Sequence, residues 1–146
     1  MTTSTEQVSE RKFGPLDDKG WSELKEVATL RVEPINFQNG DNTLSDIGKE
    51  QVDNVATMLK NNFPGDRVLI RGHTGPGDEK ENLQLSQERA DVVAKYLSVA
   101  HHIETNRLRG EGVGSKMPIK RKQDESQRAY QYRLPRVEFV LLEDSL

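Results

Sequence analysis

The stretch RVLIRGHTGPGDEKENLQLSQERADVVAKYLSVA, residues 67–100, changes its hydrophobic period partway along. Arg67 to Thr74 is a compact apolar run bounded by Pro64-Gly65-Asp66 on one side and Gly75-Pro76-Gly77 on the other, which predicts a strand, and a central one. From about Glu79 to Ala100 the residues Leu83, Ser86, Ala90, Val93 and Leu97 recur at intervals of three and four. That spacing draws one stripe along a core-facing helix. A strand, a glycine-rich turn and an amphipathic helix therefore follow one another without a break.

Working outward, Ser45 is placed to cap an earlier helix carrying Val52, Val55, Ala56, Leu59 and Phe63 on one face, with Asp46 and Glu50 near its positive end. Before it, ATLRVEPINF at Ala28 to Phe37 reads as a strand, and Pro34 makes it an edge or bulged strand because proline cannot donate a ladder hydrogen bond. Asn39-Gly40-Asp41-Asn42 supplies the turn between them. Downstream, a short strand is expected near Arg107 to Gly112, then an irregular segment, then a strongly apolar strand at Val137 to Leu142. The alternation predicts an α+β fold, a two-layer α/β sandwich of order βαβαβ(α)β with helices packed on one face of a mixed sheet. Residues 1–25 are expected to be a flexible arm or linker, 26–142 the folded domain, and 143–146 a tail.

Composition narrows the function. The chain has 146 residues, suited to one domain. It is 33% hydrophobic and 31% charged, with a net charge of -3, which argues against a generic nucleic-acid binder. No apolar run approaches the length needed to cross a bilayer, so no membrane insertion by this segment is expected. Cysteine is absent, excluding disulfides, thiol catalysis and thiolate metal sites. Met1 to Glu10 lack the basic start and apolar stretch of a signal peptide, so a signal or anchor for an exported protein is expected outside this segment. Lys120, Arg121, Lys122, Arg128 and Arg133 make Lys116 to Arg136 locally basic. Two readings stand there, a solvated loop or a patch for an anionic surface.

The residues that carry chemistry gather around the turn. Asn82 and Arg89 lie about two helical turns apart and project from nearly the same face. With the amides of the glycine turn and the positive end of the helix dipole they form a candidate carboxylate cleft, where Arg89 makes paired hydrogen bonds. His73 has no partner at a metal-ligand spacing and is expected to hydrogen-bond the turn, so no metal or cofactor is predicted. Gly110, Gly112 and Gly114 open no helix and lack a phosphate-loop lysine, so a tight bend is expected. Ser45, Ser86 and Ser98 lie in no nucleophile elbow. Asp78, Glu79 and Glu81 crowd one turn and read as solvated charge rather than a paired-carboxylate catalyst. Tyr130 and Tyr132 are expected to cover the sheet edge. No catalytic residue is expected.

With these residues in place, the sequence resembles the OmpA-like peptidoglycan-binding domain from about Val32 to Val140. The matching pieces are INF with Gly40 and Leu44, then IRGHT, then Asn82, Leu85, Ser86, Arg89 and Ala90, continued by Val93 and Tyr96-Leu97. Gly112, Gly114 and Pro118 follow, then Arg136, Val137 and Glu138. The resemblance implies non-catalytic, non-covalent binding of the peptidoglycan stem peptide through meso-diaminopimelate, by the C-terminal module of a larger exported protein in the periplasm, with an upstream domain of the same protein as a further partner. It also implies that Arg89 takes the ligand carboxylate and that an aspartate directly after the HT pair takes its ammonium group. Here that aspartate is replaced by Gly75. The turn is one residue shorter than the family pattern, and Pro135 stands where an arginine is common. The peptidoglycan-binding set so implied is Arg89, Asn82, Thr74, Asp78, Gly75 and Arg136, with Asp78 able to stand in for the missing charge. The alternative is an OmpA-like domain that has lost diaminopimelate binding and serves as a protein-interaction or spacer module.

Overall fold

A computed structural model describes residues 13–30, 32–38 and 42–143. A short helix α1 (Asp18–Ser22) precedes β1 (Lys25–Leu30), α2 (Asp46–Asn61), β2 (Arg67–His73) and α3 (Glu79–His101). A 3-10 turn (Thr105–Arg107), β3 (Leu108–Gly114), α4 (Gln127–Arg133) and β4 (Arg136–Glu143) complete the chain. The sheet runs in the order β1-β4-β2-β3, so β2 is an inner strand as expected. Strands β2 and β3 are parallel, and β4 pairs antiparallel with both β1 and β2. This is the two-layer α/β sandwich with a mixed sheet that the hydrophobic periods predict.

Helices α2 and α3 cover one face. Val52, Val55, Ala56 and Leu59 from α2 meet Ala90, Val93 and Leu97 from α3 over Val68, Ile70, Val137, Phe139 and Leu141 of the sheet. Ser45 caps α2 by accepting a bond from the Gly48 amide, as its position in the sequence suggests. The approach of α3 is very close. A Cβ on Gly72 would stand 2.4 Å from the Ser86 carbonyl oxygen, and one on Gly112 would stand 2.2 Å from the Gln87 nitrogen. The glycines of β3 thus serve helix contact as well as bending; only Gly114, at φ 58, takes the left-handed backbone of a turn. Ser86 Oγ accepts from the Gly114 amide at 3.0 Å. The Gln87 side chain accepts from the Gly112 amide at 2.9 Å and donates to the Gly110 carbonyl at 3.0 Å, along the border strand β3.

The opposite face departs from expectation. Of the arm predicted over residues 1–25, residues 1–12 lie outside the described residues, whereas Phe13 and Trp21 are buried. Trp21, with Leu16 and Leu24, covers Leu69, Val140 and Leu142. These apolar groups are too sparse to show a period, but the second face of the sheet would be wet without them. Arg67, 1% exposed, donates to the Gly14 and Asn106 carbonyls at 2.9 and 2.7 Å and lies over the Phe13 and Trp21 rings. The first strand also moves, from the expected Ala28 to Phe37 to Lys25–Leu30, because its outer position leaves it almost wholly exposed and without an apolar signature. It is an edge strand and bulged between Glu26 and Ala28, while Pro34 lies beyond it in the following loop. The expected tail begins as the last residue of β4, Glu143, and 144–146 lie outside the described residues.

Gly112→Ala is expected to destabilise the fold by about 1–3 kcal/mol or more in urea unfolding, because backbone cannot yield cheaply to the new methyl group. Gly75→Ala, where a Cβ meets nothing within 4 Å, is the matched control and should unfold within about 0.5 kcal/mol of the wild type.

Candidate functional site

Beyond the end of β2 the chain is tied back across the sheet, the Thr74 amide donating to the Gly114 carbonyl at 2.9 Å. The turn that follows is clamped at one atom. The Gly75 carbonyl accepts from Thr74 Oγ1 at 3.0 Å and from Asn82 Nδ2 at 3.1 Å. Gly77, at φ 154, completes it. Asp78 then caps α3, its carboxylate accepting from the Glu81 amide at 2.9 Å. Four of the expected site residues, Thr74, Gly75, Asn82 and Asp78, thus shape the turn and start the helix. None of the four lines the neighbouring cavity.

That cavity, of about 310 Å³, is lined by Arg89 and Arg136 together with Asn36, Phe37, Ser86 and Tyr132, and by Gly72 and His73 from β2. It has no aspartate or glutamate in its wall among the described residues. The Arg89 guanidinium sits 4.7 Å from the centroid of the Phe37 ring, whose face attracts a cation. Phe37 is itself held by a bridge to Leu44, and the Asn36 carbonyl accepts from the Ser45 amide at 3.2 Å. The register of α3 on the sheet therefore delivers Arg89, while the loop before α2 delivers the ring beneath it. Sequence reasoning pointed to Arg89 and Arg136, named Phe37 only within its motif, and expected Tyr132 at the sheet edge, whereas all four line this cavity. The signal for Phe37 was its place in the INF piece.

Arg136 is anchored from behind. It donates to the Leu134 and Met117 carbonyls at 2.8 and 3.0 Å, and its Nε is 3.5 Å from Glu138 Oε2. The other oxygen of Glu138 stands 2.6 Å from His73 Nε2. His73, 3% exposed, pairs with the neighbouring strand and not with the turn expected for it: Arg136 is its partner across the ladder, and Glu138, two residues further along the same face, is the diagonal neighbour its ring reaches. Among the described residues no group of His, Cys, Asp and Glu gathers to hold a metal ion, and no helix is long and apolar enough to cross a membrane.

The basic segment forms a local structure of its own. Arg133 makes two bonds of 2.6 Å to the Glu125 carboxylate, and Arg121 donates to the Glu125 carbonyl and to Gln127. Two of its cations thus hold α4 in place, and Lys120, Lys122 and Arg128 remain exposed. Tyr130 reaches the Ile119 carbonyl at 2.8 Å, whereas Tyr132, 75% exposed, points away from any edge-covering role because its helix turns it outward.

The sequence matches the OmpA family over residues 36–132. It is 34% identical over 105 residues to the peptidoglycan-associated lipoprotein of Legionella pneumophila, covering 71% of this chain and 57% of that protein. It is 39% identical over 87 residues to the peptidoglycan-binding protein ArfA of Mycobacterium tuberculosis, covering 59% of this chain and 26% of that protein. The chain therefore spans between about a quarter and little more than half of these relatives. The periplasmic domain of Helicobacter pylori MotB shares the fold with a TM-score of 0.64 at 19% identity, over 84% of this chain and 82% of that one.

The Arg133 guanidinium, then the Lys122 amide, hold the Glu125 carboxyl down to about 2 from its ordinary 4.5. A depressed acid stabilises the folded segment above its unfolded pKa, and that contribution fades as pH falls from about 4.5 towards 2. Carbon-detected NMR of the Glu125 carboxyl should accordingly show a midpoint near 2. A midpoint at the ordinary value would mean that the Arg133 pair does not form in solution.

Proposed function

The chain belongs to the OmpA family, and from that membership we propose that it binds peptidoglycan without catalysing any reaction, joining a cell-envelope protein to the wall. The observation that carries the reading is Arg89, set over Phe37 in a cavity that it shares with Arg136. A guanidinium presented in a concave wall recognises a carboxylate by paired hydrogen bonds, and the stem peptide of peptidoglycan, with its diaminopimelate carboxylate, offers one. Arg136 adds positive potential from the facing wall. Thr74, Asn82 and Asp78 contribute indirectly, by fixing the turn and the helix start from which Arg89 is projected. The protein named peptidoglycan-binding among the relatives is consistent with this ligand, and the lipoprotein among them with a place in the periplasm beside the outer membrane. An upstream domain of the same polypeptide is the natural cargo of such an anchor.

Gly75 distinguishes this domain from the pattern it resembles. A zwitterion needs both signs, and losing one member of a desolvated charge pair costs roughly 2–5 kcal/mol. The domain accordingly grips the carboxylate end of the stem and holds the ammonium weakly. Since a Cβ at position 75 would meet nothing within 4 Å, Gly75→Asp can restore the acid without disturbing the turn.

The test is sedimentation of the pure domain with insoluble diaminopimelate-type peptidoglycan at moderate salt. Saturable binding is expected for the wild type, loss in Arg89→Ala, and a gain of about tenfold or more, equal to 1.4 kcal/mol, in Gly75→Asp. Asp78→Ala should lower stability by about 1 kcal/mol through its lost cap while binding persists. If a folded Asp78→Ala loses binding outright, Asp78 supplies the ammonium partner after all. Should the folded wild type not sediment, the wall-anchor reading fails and the module serves as a spacer or a protein contact.

A further inference from the structure

The cavity that holds Arg89 does not end at Tyr132. On the other side of that residue lies a broader groove of about 800 Å³, lined by Val32, Glu33, Pro34, Ser126, Arg128 and Ala129 as well as by Tyr132. Pro34 and Tyr132 line both spaces, so they form the sill between them. Tyr132 is 75% exposed, and among the described residues it is the only aromatic side chain in the set of exposed large apolar groups. An aromatic ring in that position has a free apolar face and a polar edge. It is also held on a rigid base. The Ser126 cap, the Tyr130 bond to Ile119 and the Arg133 pair with Glu125 fix the short helix that presents it.

We infer that this groove is a second subsite, for the N-acetylated sugar ring from which the stem peptide hangs. The inference rests on the proposed function, because only a ligand seated at Arg89 brings its attached sugar to Tyr132. The wall composition fits a pyranose. Val32, Pro34 and Ala129 offer apolar surface for the C–H face of the ring, Tyr132 is placed to stack on it, and Ser126, Glu33 and Arg128 supply polar groups for its hydroxyl and acetamido substituents. Charge argues against a second acidic peptide segment. Arg128 and Arg133 are balanced here by Glu33 and Glu125, so the groove has no net attraction for an anion. Occupying both spaces with one covalently joined ligand makes the second contact intramolecular, which raises affinity without a new charge pair. In a domain that lacks the family acid at position 75, this contact supplies grip from the sugar side.

The experiment compares two soluble ligands by calorimetry, a disaccharide-peptide fragment of peptidoglycan and the same stem peptide without sugars. The wild type is expected to bind the disaccharide form about five- to tenfold more tightly. Tyr132→Ala should abolish that difference, whatever it costs the bare peptide, because the ring borders both spaces, and Tyr132→Phe should retain it. Equal affinity of the wild type for the two ligands overturns the inference and leaves the proposed function standing. An equal loss for both ligands in Tyr132→Ala also overturns it, placing the ring in the peptide cavity alone. If the folded wild type binds neither ligand, the proposed function fails and the sugar subsite with it.

Discussion

The contact on which the rest of the structure depends is the seating of α3 on the glycines of β2 and β3. Side chains normally separate a helix from a sheet, but at Gly72 and Gly112 the backbone of Ser86 and Gln87 takes their place, closer than any Cβ would permit. Ser86 and Gln87 then bond to the strand amides and carbonyls, so the rotation of the helix about its axis is fixed as well as its distance. Arg89 is projected from the next turn of that helix and Asn82 from the preceding one. The direction of the site's principal cation is thus settled by a contact whose residues contribute almost no charge.

Two buried arginines elsewhere in the molecule share a rule. Arg67 and Arg107, both nearly inaccessible, donate to backbone carbonyls: Gly14 and Asn106 for the first, Asp66, Leu59 and Phe63 for the second. For Arg107, burial depresses the guanidinium pKa, which shows how costly the charge is there. Carbonyls left over at the ends of a helix and a loop are natural partners for a forked donor. Arg136 follows the same rule at the edge of the cavity and adds Glu138, so that it is held still while it faces the opening.

Most of the architecture was legible because α2, α3, β2 and β4 each bury a regular face, and regular burial leaves a period in the sequence. Strand β1 left none, since nearly every residue in Lys25–Leu30 is exposed, and the apolar residues Val32 to Phe37 that follow it mimic a strand while folding as a loop. The burial of Trp21 against the sheet was not legible for a related reason: one large side chain can cover a sheet face without any spacing to announce it. Within the site, Arg89 stood out by its motif, and the helix cap that Asp78 makes was legible in the acid-x-x-acid spacing of Asp78 and Glu81, a reading not drawn when Asp78 was offered as a stand-in for the missing charge. Phe37 and Tyr132 sit in a loop and on a short helix, where neither periodicity nor charge marks a residue that will face a cavity.

The two borders of the sheet bear on how the domain behaves in numbers. An open strand edge is a template onto which another chain can add, and a module concentrated along a polymer meets its own copies constantly. On one border, Gln87 already occupies the Gly110 carbonyl and the Gly112 amide, as a neighbouring strand would. On the other, the bulge between Glu26 and Ala28 breaks the ladder of a six-residue strand that carries Lys25 and Glu26. Neither border offers an uninterrupted row of donors and acceptors, so crowding can bring copies together without knitting their sheets into aggregates.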